Sequence, residues 1–158
     1  MRVENRNHAP DGNIGAGFES NLVSIEGDKG GFDMDAIVKR FQTGKLDMEG
    51  FEPFHYEEPD TGAQAFGEIT TVRMEGSSGQ VLAVGLWRVA EDTTSPVYSS
   101  QLGDETFVVL EGSVDIEDLD TGQTHSFGVG DIVSWSKGMR TRWTIHAPFK
   151  KFVVVAGT

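Results

Sequence analysis

The side chains able to do chemistry in this sequence are a few carboxylates and a set of aromatic rings. Glu105 stands in the apolar run 105–110, where strand alternation places it on one face with Phe107 and Val109. A carboxyl group facing an apolar interior has its charged form desolvated, which raises its pKa. That would suit it to act as a general acid or base near neutral pH. The alternative is structural: the carboxylate caps backbone N–H groups or pairs with an arginine such as Arg88. Trp87, Trp135 and Trp143 serve either as core packing or as platforms for a ligand.

Other reactive groups are scarce. There is no cysteine, which excludes disulfides, zinc–thiolate sites, iron–sulfur clusters and a thiol nucleophile. The four histidines, His8, His55, His125 and His146, never fall at a ligand spacing such as His-x-His. His55 adjoins Tyr56 in an aromatic segment and is the histidine placed to lid an interior cavity. There is no Gly-x-Ser-x-Gly elbow and no phosphate loop, and Gly12-Asn13-Ile14-Gly15-Ala16-Gly17 lacks the strand and final spacing of a dinucleotide loop.

The elements that must position these groups are short strands. From residue 68, β-type runs at 68–75, 80–89, 96–100, 105–110, 113–118, 123–127, 131–136, 141–146 and 149–156 alternate with turn signals. The turns include Ser77-Ser78-Gly79, Glu111-Gly112, Asp120-Thr121-Gly122 and Gly128-Val129-Gly130-Asp131. Regular short strands with glycine turns predict an all-β sandwich or barrel. Upstream, residues 1–31 hold six glycines without periodicity and read as an irregular arm with one short strand at 22–25. Met34, Ile37, Val38 and Phe41 follow a helical stripe, so the spacing predicts a helix over 33–43, capped by Asp33 and stopped by Gly44. Residues 45–67 read as an aromatic connection. One domain is expected, with 1–67 as arm, helix and connection packed on a barrel of 68–158.

Two spacings then become recognisable. Glu105 followed, after six intervening residues, by Gly112, and Gly130-Asp131 followed by Gly138, resemble the two motifs of the cupin superfamily. This resemblance covers 68–158 and implies a double-stranded β-helix, or jelly-roll barrel. Where cupins carry metal-binding histidines, this sequence has Tyr98, Ser100 and Thr141, which leaves Glu105 alone and implies no metal and no cofactor. Gly85-Leu86-Trp87, Asp104-Glu105, Leu110-Glu111-Gly112, Ser136-Lys137-Gly138 with Trp143, and Lys150 resemble the metal-poor, ethanolamine-utilisation type of cupin. The departure is Ser136 in place of a proline. Together with strand alternation, the resemblance gives an expected lumen of Trp87, Tyr98, Ser100, Glu105, Phe107, Thr141 and Trp143, with His55 above it.

From this lumen the leading expectation is a metal-free enzyme of the isomerase, lyase or hydrolase kind acting on a small organic molecule. Glu105 would transfer protons, Tyr98 would polarise the substrate, and the remaining residues would bind it. Alternatives are a non-catalytic small-molecule-binding or regulatory cupin, and a structural accessory subunit. The resemblance also implies pairing of barrels, so a homodimer is expected. The formal charge of −12 argues against nucleic acid and anionic membranes as partners. A polar N-terminus and the lack of a long apolar run predict a soluble, cytoplasmic protein. Residues 136–158 run against the average: they hold five basic residues and no acidic one. This reads as a basic edge strand lying near acidic strands, or as a rim that recognises anions.

Overall fold

The computed structural model describes residues 41–158. Among them every regular element is a β-strand, so the expected all-β class stands. The strands are β1 (Glu52–Glu58), β2 (Gly62–Glu75), β3 (Val81–Val89), β4 (Thr93–Thr94), β5 (Asp104–Asp118), β6 (Gln123–Gly128), β7 (Ile132–Trp135) and β8 (Thr141–Gly157). The sheet runs β1-β2-β3-β8-β5-β6 with every pair antiparallel; β4 joins it at β8 and β7 at β5. No helix among the described residues is long and apolar enough to cross a membrane.

Several sequence expectations change here. The arm and its strand at 22–25 lie outside the described residues, as does most of the helix expected over 33–43; its last positions, 41–43, are not helical. Residues 45–67, read as a connection, contain β1 and the start of β2. In β1, Phe54 and Tyr56 alternate with exposed Pro53, His55 and Glu57, but the covered face also carries the buried Glu58, so no purely apolar stripe marks the strand. The run 96–100 is not a strand: only Tyr98 bridges, to Thr141.

The runs 105–110 and 113–118 are one strand, β5, and 141–146 and 149–156 are one strand, β8. Glu111-Gly112 is therefore a bulge rather than a turn, with pairing to β8 slipping between Val109 and Glu111 and again between Glu111 and Ser113. Gly112 has φ 70°, and a Cβ there would collide with the Pro148 carbonyl oxygen, so the bulge needs glycine. Pro148, which has no N–H to give a ladder, falls in the break opposite Gly112.

The bulge switches which residues of β5 face inward. Glu105, Phe107 and Val109 are buried before it, Val114 and Ile116 after it. Opposite them β8 keeps one parity throughout: Thr141, Trp143, Ile145, Phe149, Lys151 and Val153 are all buried. With Leu86, Trp87 and Val89 of β3 these side chains form the core, each large apolar one contributing about 1.5–3 kcal/mol by leaving water.

The basic C-terminal stretch is not an edge. β8 lies between β3 and β5, where it has the most neighbours to pair with. Its outward bases meet acids across the sheet: Arg142 with Glu117 at 3.5 Å and Lys150 with Glu111 at 3.1 Å. Arg140, just before β8, meets Asp60 at 3.1 Å. Arg142–Glu117 and Lys150–Glu111 are directly opposed residues of the β5–β8 ladder.

Candidate functional site

Glu105 enters the interior from the first turn of alternation in β5 and is 1% exposed. Both of its carboxylate oxygens are bonded. Oε2 accepts from the Tyr98 hydroxyl at 2.7 Å, and Oε1 accepts from the Lys151 ammonium at 2.5 Å. Arg88, the sequence candidate for a partner, pairs with Glu68 at 2.8 Å on the outer side.

The register explains how Lys151 reaches. Across β5 and β8, Glu105 faces Val155, Phe107 faces Val153 and Val109 faces Lys151. The lysine stem therefore runs along the sheet, past Phe107, to bring its charge to Glu105. On the way Nζ lies 4.2 Å from the Trp143 ring centroid, 4.6 Å from Phe107 and 5.1 Å from Trp87. Ring faces attract a desolvated cation. Burial pushes the Lys151 amine below the usual lysine range, while the Glu105 charge and hydrogen bond resist that fall. Burial, reinforced by the charge and hydrogen bond of Glu105, holds the Tyr98 phenol well above its usual value, so it remains a hydrogen-bond donor.

Tyr98 comes from the loop between β4 and β5, which β8 clamps. Tyr98 and Thr141 exchange two backbone hydrogen bonds of 2.8 Å, and the Thr141 hydroxyl donates to the Tyr98 carbonyl at 2.8 Å. The same Thr141 oxygen accepts from Trp143 Nε1 at 2.9 Å, which fixes the ring over Lys151. Trp87 donates its N–H to the Phe66 carbonyl at 3.1 Å. Gly67, with φ 69°, leaves room for that ring; a Cβ would strike it.

A cavity of about 460 Å³ opens beside this group. Trp87, Tyr98, Ser100, Glu105, Trp143 and His55, all expected from sequence, line it. His55 is exposed and sits on β1. Ser100 spends its hydroxyl on the Gly103 carbonyl at 2.7 Å, closing a local turn. Phe107 and Thr141 do not line the cavity; they lie behind it, one under the lysine and one under Trp143. The rest of the wall is mostly apolar, from Phe54, Phe66, Ile69, Val84, Val153 and Val155.

Sequence reasoning missed Lys151. The family resemblance drew attention to Lys150, which faces outward. The signal was available: counting alternate residues along β8 from Thr141 lands on Lys151, but the strand had been cut in two at Pro148. Tyr56 was also missed as a site residue. Its hydroxyl donates to the Val97 carbonyl at 3.0 Å, and its ring meets Tyr98 edge-on at 5.0 Å.

The positions where a cupin would hold a metal do not suit one. A lysine ammonium already occupies one oxygen of Glu105 and Tyr98 the other, while the Ser100 and Thr141 hydroxyls are committed to backbone carbonyls. Among the described residues, no three His, Cys, Asp or Glu side chains gather as a metal site.

Residues 76–152 match the model of the EutQ-like cupin domain. No curated protein matches the chain. Solved structures similar to it include a cupin-2 domain protein from Shewanella frigidimarina, 18% identical, covering 56% of this chain and 79% of that one, TM-score 0.45. A candidate ethanolamine utilization protein Q from Salmonella typhimurium is 15% identical, covers 69% of this chain and 97% of that one, TM-score 0.47. The Cnp3 cupin domain of Schizosaccharomyces pombe is 10% identical, covers 70% and 86%, TM-score 0.49.

Proposed function

Residues 76–152 belong to the cupin superfamily, and on that premise we propose that the cavity binds a small organic molecule and exchanges protons with it through Glu105. The observation that carries this reading is the bridged carboxylate at the cavity wall, held between an ammonium and a phenol. Such a carboxylate can take a proton from the ammonium, which leaves both groups neutral, or from a bound molecule, whose new negative charge the ammonium then offsets. The apolar walls favour a ligand with an aromatic or aliphatic body and one polar head directed at Glu105, Tyr98 and Lys151. Isomerisation, elimination and hydrolysis are the reactions this arrangement serves without a cofactor.

A non-catalytic binding role is the second reading, favoured by the engagement of both Glu105 oxygens. The cavity beside Glu105 weighs against a purely structural barrel filled by its own side chains. The deciding experiment is to find a bound compound by calorimetry with a panel of small alcohols, carbonyl compounds and carboxylic acids, then to follow its conversion. Glu105→Gln should retain binding and lose turnover by about 10²–10⁴-fold. Turnover at the wild-type rate in that variant would overturn the proposal, and a change confined to affinity would favour the binding role. The homodimer belongs to the same proposal; light scattering that gives only a 17.2 kDa species would refute it.

A further inference from the structure

We propose that Lys151 forms an imine with a small aldehyde or ketone held in the cavity. The inference rests on the reading of this cavity as a proton-transfer site and names the substrate class it takes.

Three observations lead to it. First, Lys151 lines the cavity, yet among the described residues its Nζ has a single hydrogen-bond acceptor, Glu105. An ammonium has three N–H groups, so the remaining ones face rings and cavity. Burial pushes this amine towards its neutral form, whose lone pair is a nucleophile. Secondly, a base stands at 2.5 Å to take the proton that must leave before attack. Thirdly, the charges of Lys151 and Glu105 already cancel, and the walls around them are apolar. A neutral oxygen-bearing ligand fits such a site better than a carboxylate, which would bring an uncompensated charge into it. A carbonyl compound is neutral and is the electrophile an amine traps.

The step balances without any further reagent. Lys151 gives one proton to Glu105, and the neutral nitrogen attacks the carbonyl carbon. A C–N bond forms, and the π electron pair moves to oxygen, which takes the proton back from Glu105. The resulting carbinolamine passes a second nitrogen proton through Glu105 to the hydroxyl. The C–O bond breaks, water leaves, and a protonated imine remains. Ammonium and carbonyl thus become iminium and water. The positive charge is retained, so the product stays paired with the Glu105 carboxylate. Tyr98 keeps its bond to the other carboxylate oxygen throughout and acts as a positioning residue.

The test uses benzaldehyde as probe. The full chain is incubated with it and cyanoborohydride at neutral pH, and benzylated lysines are mapped by mass spectrometry. Lys151 should be labelled about tenfold or more faster than Lys150, its exposed-side neighbour. Lys151→Arg, which keeps the cation, should lose that label while Lys45, Lys137 and Lys150 react as before. Labelling of Lys151 no faster than Lys150 would overturn the imine. Binding of benzyl alcohol, measured alongside by calorimetry, separates the two proposals. Binding without selective labelling removes only the imine; absence of both removes the small-molecule pocket with it.

Discussion

Lys150 and Lys151 are neighbours in sequence, lie on one strand and each pair with a glutamate of β5, yet they inhabit different physics. The Lys150–Glu111 pair sits on the outer face, with side chains 20% and 51% exposed; the Lys151–Glu105 pair sits inside, at 5% and 1%. Outside, water screens the charges and solvates either partner if the other is lost. Inside, each charge depends on the other, because both were taken out of water and only geometry returns the cost. The contrast teaches that a one-residue step along β8 separates an ornament of the surface from a group with chemical potential.

The largest effect expected from breaking this contrast is at the inner pair. Lys151→Met should destabilise the fold by about 3–5 kcal/mol, because Glu105 is left charged with only a phenol for company. Adding Glu105→Leu to that variant should recover most of the loss. Urea unfolding of the single and double variants measures both, and a single-variant cost near that of the outer pair would erase the distinction.

A second experiment sharpens the electrostatic side. The chain has two tyrosines. Burial, helped by the Glu58 charge, pushes Tyr56 up to about 12, and Tyr98 lies well above its usual 10.0. Raised phenol values mean the folded state holds its protons longer, so stability from these groups is complete below pH 10 and falls as pH rises through the folded values. Lys151 acts in the other sense: its lowered value makes the buried ammonium a cost that is relieved as pH rises towards 10.5. Tyrosinate absorbance should therefore stay near zero in the folded protein at pH 10 and appear in urea at the same pH. Half-ionised tyrosine in the folded chain at pH 10 would contradict the burial described.

The smallest effect belongs outside. Lys150→Ala or Glu111→Ala should change stability by about 0–1 kcal/mol, and added salt should shrink even that. A cost as large as the inner pair's would show that exposure does not decide the matter.

Much of this arrangement could be read from alternation. Glu105, Phe107 and Val109 share the inner face because nothing interrupts that part of β5, and Thr141, Trp143 and Ile145 share theirs for the same reason. Reading stopped where local signals misstate tertiary context. Leu110-Glu111-Gly112 looks like a turn, but β5 continues because β8 pairs with it on both sides of the bulge. Pro148 looks like a break, but it falls where the ladder to β5 has no bond for it to lose. These misreadings hid the parity that carries Lys151 inward. The partner of Glu105 was unreadable for a further reason: it depends on a long side chain leaning along the sheet, which strand pairing alone does not indicate. β1 was obscured because its covered face mixes the rings of Phe54 and Tyr56 with the buried carboxylate of Glu58.

The clustering of indole rings has an optical consequence. All three tryptophans of the chain belong to one group, with Trp143 6.0 Å from Trp87 and 5.8 Å from Trp135 between ring centroids. Excitation absorbed by one ring is shared with the others over such distances, so near-ultraviolet emission comes from a single place in the molecule. That place includes the ring nearest the Lys151 ammonium. Intrinsic fluorescence therefore gives this protein a built-in lamp directed at one charge, and its colour and lifetime register what happens there.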